Sequence, residues 1–271
     1  MEVKLIDHVF DPFEKLYAAY RTCYSSDTPI EIWDKIRSEA IPKERIRQFI
    51  AGRLKTGHSS PLEQVVLWFA IAGVSRSLSH QFVRHRIGIS FEQQSQRYVR
   101  FKEDRLEYVL PDSWKRKGLE DEFQALVGNI TRLYARAIEA GIPPEDARFV
   151  LPNAAPTNFQ VVVNFAEMLH IADLRLCLRA QWEIRRMVAL MRAEIRRVLP
   201  ELAEHLQPKC GERRQGYCDE SHEDWAKCPL GKVRPHKSTL LELYSQHGSQ
   251  EVRVLGEKEF EEVERREQLD G

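Results

Sequence analysis

Between Arg84 and Tyr98 the chain packs three arginines, a histidine, two serines, three glutamines and one carboxylate into fifteen positions. Fold stability alone does not ask for that mixture. Ile87, Ile89, Phe91 and Tyr98 are spaced through the same stretch and pin it against a core. Whatever the fold, it must hold a cluster of guanidiniums and amides at the edge of its hydrophobic interior. Guanidiniums grip phosphate oxygens in bidentate forks, while Gln and Ser side chains reach the carbonyl and NH edge of a flat polar heterocycle. A solvated basic helix followed by a polar loop is the plainer alternative, since runs of charge are usually surface.

The elements around this stretch read as alternating strands and helices. Val3 to Val9 alternates as a first strand, and Pro12 to Tyr20 and Pro42 to Thr56 read as helices. The second helix puts Ile46, Phe49, Ile50 and Leu54 on one face, with Gly57 just beyond its end. Val65 to Ala72 is a short apolar run bounded by Pro61 and Gly73, which predicts a buried strand. Ser75 is expected to start a helix running into Arg84-His85-Arg86, so that Gln81, Arg84 and His85 share a side of its last turns. Phe101 to Leu110 reads as strand and loop, ended by Pro111. Glu120 to Ala140 is an amphipathic helix whose apolar face is Phe123, Leu126, Val127, Ile130, Leu133, Tyr134 and Ala137, closed by Gly141. Pro143 and Pro144 open a short helical turn carrying Arg148. Thr157 or Asn158 is expected to cap a helix to about Leu178, with Gln181 to Val198 continuing as helix. On that helix Asn164 and Arg175 fall on one face, about 16 Å apart, with His170 about 120° off their line. Gln250 to Arg266 is charge-dense enough for a surface helix.

Composition narrows the function classes. The 271 residues hold 41 Lys plus Arg against 41 Asp plus Glu. No global field therefore recruits nucleic acid or a membrane surface, and an anionic ligand must be held by local clustering of arginines. No apolar run approaches the ~18 residues of a membrane span. The start, Met1-Glu2-Val3-Lys4, is too charged for a secretory signal, so a cytoplasmic location is expected. No Gly-x-Gly-x-x-Gly occurs, so a doubly wound dinucleotide fold is not indicated.

Several segments, taken together, resemble one family. Arg84-His85-Arg86 is followed, after eight residues, by Ser95-Gln96-Arg97-Tyr98. Upstream stands Gly57-His58-Ser59-Ser60-Pro61-Leu62-Glu63-Gln64, and downstream Ala147-Arg148-Phe149-Val150-Leu151-Pro152. Asn164, His170 and Arg175 then lead into Ala180-Gln181-Trp182-Glu183-Ile184. Order and spacing are similar to those of the flavin-dependent thymidylate synthases over about residues 1 to 208, which reads as a catalytic domain followed by a Cys-containing, charged extension over 209–271. Three departures stand out: the gap before Ser95 is one residue longer than usual, Gln64 replaces a histidine, and Gln93 stands where many relatives have glutamate, with Glu92 beside it as a substitute.

The resemblance implies an α+β fold, a mixed β-sheet with packed helices in a single extended domain, assembled as a homotetramer. It implies reductive methylation of dUMP to dTMP, with methylenetetrahydrofolate as carbon donor and FAD, reduced by NADPH, as hydride source. FAD would be held by His58, Ser60, Arg84, His85, Arg86, Gln93, Asn164 and His170. dUMP would be held by Gln81, Arg84, Gln93, Ser95, Gln96, Arg97, Arg148 and Arg175. Arg175 would be catalytic, its cation stabilising charge that develops on the uracil ring. Ala166 stands where some relatives have a flavin-contacting arginine, and Cys23 where they have a small polar residue. No nucleic acid and no membrane are implied as partners.

Each residue also has a plainer reading. Arg148 and Arg175 could be ion-pair residues, and His170 a hydrogen-bonded core histidine. Cys210, Cys218 and Cys228, with His205, His222 or His236 nearby, are enough for a tetrahedral zinc site, but they lack a Cys-x2-Cys pair, so a redox-dependent disulfide is as open as zinc and plain reduced thiols are the default. Two other functions fit the same residues: a flavoprotein that methylates a uracil base in RNA, and a non-enzymatic nucleotide-binding protein with a zinc module in its tail.

Overall fold

The computed structural model describes residues 1–101 and 106–246. Backbone contacts divide the chain after Leu206 into two compact units. The first runs β1 (Glu2–His8), α1 (Pro12–Tyr24), α2 (Pro29–Arg37), α3 (Lys43–Leu54), β2 (Val66–Ser75), α4 (Arg76–Phe82) and β3 (Ile89–Gln93), then α5 (Asp112–Arg116), α6 (Glu120–Glu139), α7 (Pro144–Ala147), β4 (Pro156–Asn164), α8 (Phe165–Arg175), α9 (Trp182–Val198) and α10 (Pro200–Ala203). The second holds α11 (His222–Lys227) and α12 (Lys237–Gln246). The expected helix over Gln250 to Arg266 lies outside the described residues.

The four strands form one sheet in the order β1-β2-β4-β3. All three pairings are antiparallel, where the resemblance implied a mixed sheet. One face is the core side. Leu67, Phe69 and Ile71 of β2 meet Phe159, Val161 and Val163 of β4, and α1, α3, α8 and α9 supply buried residues such as Leu16, Ile50, Met168 and Met191 to the same cluster. Each such side chain stabilises the fold by roughly 1.5–3 kcal/mol of burial. The other face stays open within this unit, with Val66 38% and Trp68 42% exposed. The run Val65 to Ala72 is therefore a strand buried on one side only, not a fully buried one. An antiparallel sheet with helices on a single face needs nothing more.

Several expectations about the elements are corrected. Residues 156–164 are strand β4, not the first half of a helix, and Asn164 rather than Thr157 or Asn158 caps α8. The alternation buried at Thr157, Phe159, Val161 and Val163 is a period-2 signal, and the three consecutive valines favour a strand. The Asn164–Arg175 helical face therefore reduces to the cap and the last residue of α8. Helix α4 does start at Ser75, whose hydroxyl accepts from Leu78 N at 3.0 Å, but it ends at Phe82. Arg84-His85-Arg86 lies in the turn between α4 and β3. Helix α2 escaped the sequence reading, although Thr28-Pro29-Ile30-Glu31 is a capping box with proline in the first turn. On α6 only Phe123, Val127 and Tyr134 of the apolar face are buried, while Leu126 and Leu133 are 56% and 49% exposed. Residues 106–110, within the span read as strand and loop, form no strand.

Candidate functional site

Helix α8 begins where three segments converge. The Asn164 backbone N–H donates to Gly88 O at 2.7 Å, Phe165 N–H to Val65 O at 2.8 Å, and the Asn164 side chain accepts from Glu167 N at 2.8 Å. Gly88 lies at φ +67, and a Cβ there would sit 2.2 Å from the Asn164 amide nitrogen. Only glycine lets the turn after Arg86 close onto the helix start.

A cleft of about 490 Å³ opens at this junction, lined by Glu63, Arg84, His85, Arg86, Ile87, Asn164, Ala166, Glu167, His170, Leu174 and Arg175. Three guanidiniums against two carboxylates give its wall a positive excess. His85 is the buried centre, 5% exposed. Its Nδ1 lies 3.0 Å from Glu167 Oε1, and its Nε2 accepts from Arg175 Nε at 3.1 Å. Arg175 also donates through Nη2 to Gln81 O at 3.4 Å. Burial first, then the Arg175 guanidinium and His170, hold the His85 pKa down to about 4. A neutral ring that accepts at Nε2 must carry its proton on Nδ1, so the 3.0 Å contact is a hydrogen bond from that N–H to Glu167 rather than an ion pair. Burial raises the Glu167 carboxyl and lowers Arg175.

The structure distributes the predicted site residues over three places. Arg84, His85, Arg86, Asn164, His170 and Arg175 line the cleft, and Gln81 meets Arg175 through its carbonyl. His170 is exposed, its ring centroid 5.7 Å from that of His85, so it is not a core histidine. His58 and Ser60 form a neighbouring cluster: His58 bonds Tyr24 Oη at 3.1 Å and Ser60 Oγ at 3.2 Å, and the 3-10 turn Ser60–Gln64 carries Glu63 to the cleft wall. Arg97 and Arg148 meet elsewhere, both on Glu145. Arg97 Nε donates to its carboxylate at 2.6 Å and Arg148 Nε to its carbonyl at 3.1 Å. Ser95 accepts from Arg97 N at 3.1 Å, and Gln96 is half-buried beside it. Neither residue lines the cleft.

Two sequence readings change with this geometry. Glu92 and Gln93 are consecutive in β3 and point to opposite faces, so only one of them can serve a site on either face. Gln93 is turned to Thr157 Oγ1 at 3.0 Å. The Ala180–Ile184 block is also structural. Gln181 caps α9, accepting from Glu183 N and Ile184 N, and the buried Glu183 accepts from Ser75 N at 2.7 Å and from the Ser75 hydroxyl. Glu183 thereby ties α9 to the start of α4. Glu167, absent from the sequence-predicted set, is a member of the cleft. Its signal was the N3 position after a capping Asn.

In the second unit, Cys218 pairs its backbone around His236, with Cys218 N donating to Pro235 O at 2.8 Å. His236 is buried and both ring nitrogens are engaged, Nδ1 with Ser238 Oγ at 2.8 Å and Nε2 with Glu220 O at 2.9 Å. No disulfide joins any of the five cysteines. Among the described residues, the grouping of at least three His, Cys, Asp or Glu ligand atoms within 4.8 Å is His85, Glu167 and His170, in the cleft. No helix of the described residues is long and apolar enough to cross a membrane.

The antiparallel sheet, the helix start and the arginine-lined cleft define an α+β protein with a positively charged cleft at the junction of β3, β4 and α8. Residues 4–201 match the family described as thymidylate synthase complementing protein, and the chain belongs to that family. It is 43% identical over 243 residues to a flavin-dependent thymidylate synthase of Nitratidesulfovibrio vulgaris, covering 86% of this chain and 97% of that one. It is 38% identical over 215 residues to that of Geobacter sulfurreducens, covering 78% and 88%. It is 37% identical over 254 residues to that of Pyrococcus horikoshii, covering 90% and 100%. The fold is similar to the crystal structure of the UMP/dUMP methylase PolB from Streptomyces cacaoi bound with 5-Br dUMP. The TM-score is 0.63 at 18% identity, over 79% of this chain and 96% of that one.

Proposed function

We propose that this protein is a flavin-dependent thymidylate synthase, which reductively methylates dUMP to dTMP using methylenetetrahydrofolate and NADPH. The observation that carries the reading is the Arg175 guanidinium, seated on the neutral His85 ring inside a cleft that also presents Arg84 and Arg86. FAD fits the donor set. The arginines suit its diphosphate, Ile87, Ala166 and Leu174 offer apolar wall to a ring system, and the N-terminal end of α8 favours negative charge. FAD, when bound, supplies the hydride that reduces the one-carbon unit to a methyl group.

The chain's own residues bind, orient and balance charge. Arg84, His85, Arg86, Asn164 and His170 hold the cofactor from the cleft, with His58, Ser60 and Gln93 completing its surroundings. Gln81, Ser95, Gln96, Arg97 and Arg148 hold dUMP, the arginines at its phosphate. Arg175 lies against the uracil edge and stabilises the negative charge that grows as C5 becomes nucleophilic. No cysteine nucleophile is called for: Cys23 is exposed on α1, and neither Cys23 nor Cys177 lines the cleft.

Arg84, His85, Arg86, Asn164 and His170 line one cleft while Ser95, Arg97 and Arg148 gather around Glu145, so a complete site draws its two halves from different subunits. The exposed Val66, Trp68, Leu126 and Leu133 supply apolar surface for self-association as a homotetramer. The enzyme works in the cytoplasm, where thiols stay reduced. The test is the visible spectrum of the purified protein, then NADPH oxidation with and without dUMP. A flavin band whose reduction dUMP accelerates supports the reading, and a protein that stays colourless after reconstitution with FAD refutes it. Arg175→Ala should abolish turnover and keep the flavin, Arg86→Ala should lose it, and light scattering of the FAD-bound protein should report four subunits.

A further inference from the structure

Among the described residues, Glu167 is the carboxylate buried against the centre of the cleft, 9% exposed, on the first turn of α8. Its backbone is fixed by the Asn164 cap at 2.8 Å, and its Oε1 faces His85 Nδ1 at 3.0 Å. The opposite ring nitrogen accepts from Arg175 Nε at 3.1 Å. These contacts form a chain, carboxylate to imidazole to guanidinium, in which each hydrogen bond requires the one before it. A neutral imidazole carries a single N–H. If that proton sits on Nδ1, Nε2 has a lone pair for Arg175. If it sits on Nε2, two donors face each other and the guanidinium loses its seat. Both partners favour the first tautomer: Arg175 can only donate to Nε2, and Glu167 accepts from the Nδ1–H that this leaves.

We propose that Glu167 is a positioning residue: by accepting from His85 Nδ1 it fixes the ring tautomer that seats Arg175 in the cleft. This rests on the thymidylate synthase reading for what Arg175 then does, but not for the geometry itself. The groups facing His85 support the same chain. From α8 come Glu167, His170 and Arg175, the last also held by the Gln81 carbonyl at the end of α4, from the Ser60–Gln64 turn the exposed Glu63, and from its own turn the flanking Arg84 and Arg86. Every cation in that set opposes a charged imidazolium, and Glu167 is the acceptor aimed at Nδ1.

The experiment uses FAD-bound protein with 15N-labelled histidine. In the wild type, His85 should show a protonated Nδ1 and a bare Nε2 at pH 7. Observation of the reverse tautomer overturns the proposal, whether or not any variant folds and whether or not the protein turns over dUMP. Glu167→Ala should release the tautomer, keep the flavin band, and lower kcat by roughly 10- to 100-fold, the usual cost of removing a hydrogen-bond partner one step behind a functional group, with a smaller change in KM for dUMP. Glu167→Gln still offers an amide oxygen to Nδ1–H and should recover the tautomer and most of kcat. An unchanged tautomer in Glu167→Ala, full kcat in that variant, or a Gln variant no better than Ala overturns the proposal. A wild type without dUMP-dependent NADPH oxidation refutes the function while leaving the tautomer result to decide the role of Glu167.

Discussion

Replacing Glu183 with alanine tests how the cleft is held from behind. Glu183 is 2% exposed and accepts two hydrogen bonds, from Ser75 N at 2.7 Å and from the Ser75 hydroxyl. Ser75 is itself 3% exposed, so water does not replace the lost acceptor. A buried donor left without a partner costs about 1–3 kcal/mol, so two such donors cost about 2–6 kcal/mol. For a domain of about 200 residues, a loss of about 3 kcal/mol lowers Tm by roughly 6–12 °C. Glu183→Gln keeps one acceptor oxygen and should lose half as much or less. The assay is thermal unfolding followed by circular dichroism, with flavin release monitored in parallel. Because Ser75 begins α4, and α4 leads directly into Arg84-His85-Arg86, flavin should dissociate at or below the unfolding temperature of Glu183→Ala. A shift of less than about 2 °C, or an alanine variant as stable as the glutamine one, would refute the view that this buried carboxylate is an obligatory acceptor.

Three further outcomes follow from the same contacts. Gly88→Ala places a methyl group 2.2 Å from the Asn164 amide at a φ of +67, so it should weaken FAD binding at least tenfold, read by fluorescence titration. Asn164→Ala removes the α8 cap, a loss of about 1 kcal/mol in chemical denaturation, and Asn164→Ser should restore most of it. His85 should titrate by NMR near pH 4, and nearer 6.5 in Arg175→Met, where a cation facing the ring is gone. The folded value lies below the unfolded one, so the unfolded chain binds the extra proton in between. The stability His85 contributes is full above about pH 6.5 and is lost as pH falls toward 4. The stability gap between wild type and His85→Asn should narrow from pH 7 to pH 5.

Much of the protein was legible residue by residue, because the signals involved are local. Proline-led helix starts at Pro12 and Pro144, the glycine stop at Gly141 and the serine cap at Ser75 each state their element through backbone geometry that only a few residues satisfy. The order and spacing of the Arg84, His58, Arg148 and Arg175 segments carried the family for the same reason: chemistry demands particular side chains at particular separations. Even the missed helix α2 was written in its Thr28–Glu31 capping box.

What only the tertiary structure decided are facts about partners distant in sequence. Residues 156–164 become a strand because β2 and β3 lie on either side to pair with them. Glu92 and Gln93 part company because that pairing fixes the pleat. Glu183 looks like a family motif residue and is a strut for α4, 108 positions away. Glu167 looks like a helix-surface carboxylate and is the acceptor behind His85, 82 positions away. A sequence specifies which groups can donate, accept or carry charge. Which of them meet, and so which proton sits on which nitrogen of His85, is settled by packing that brings α4, the turn after it and α8 to one point.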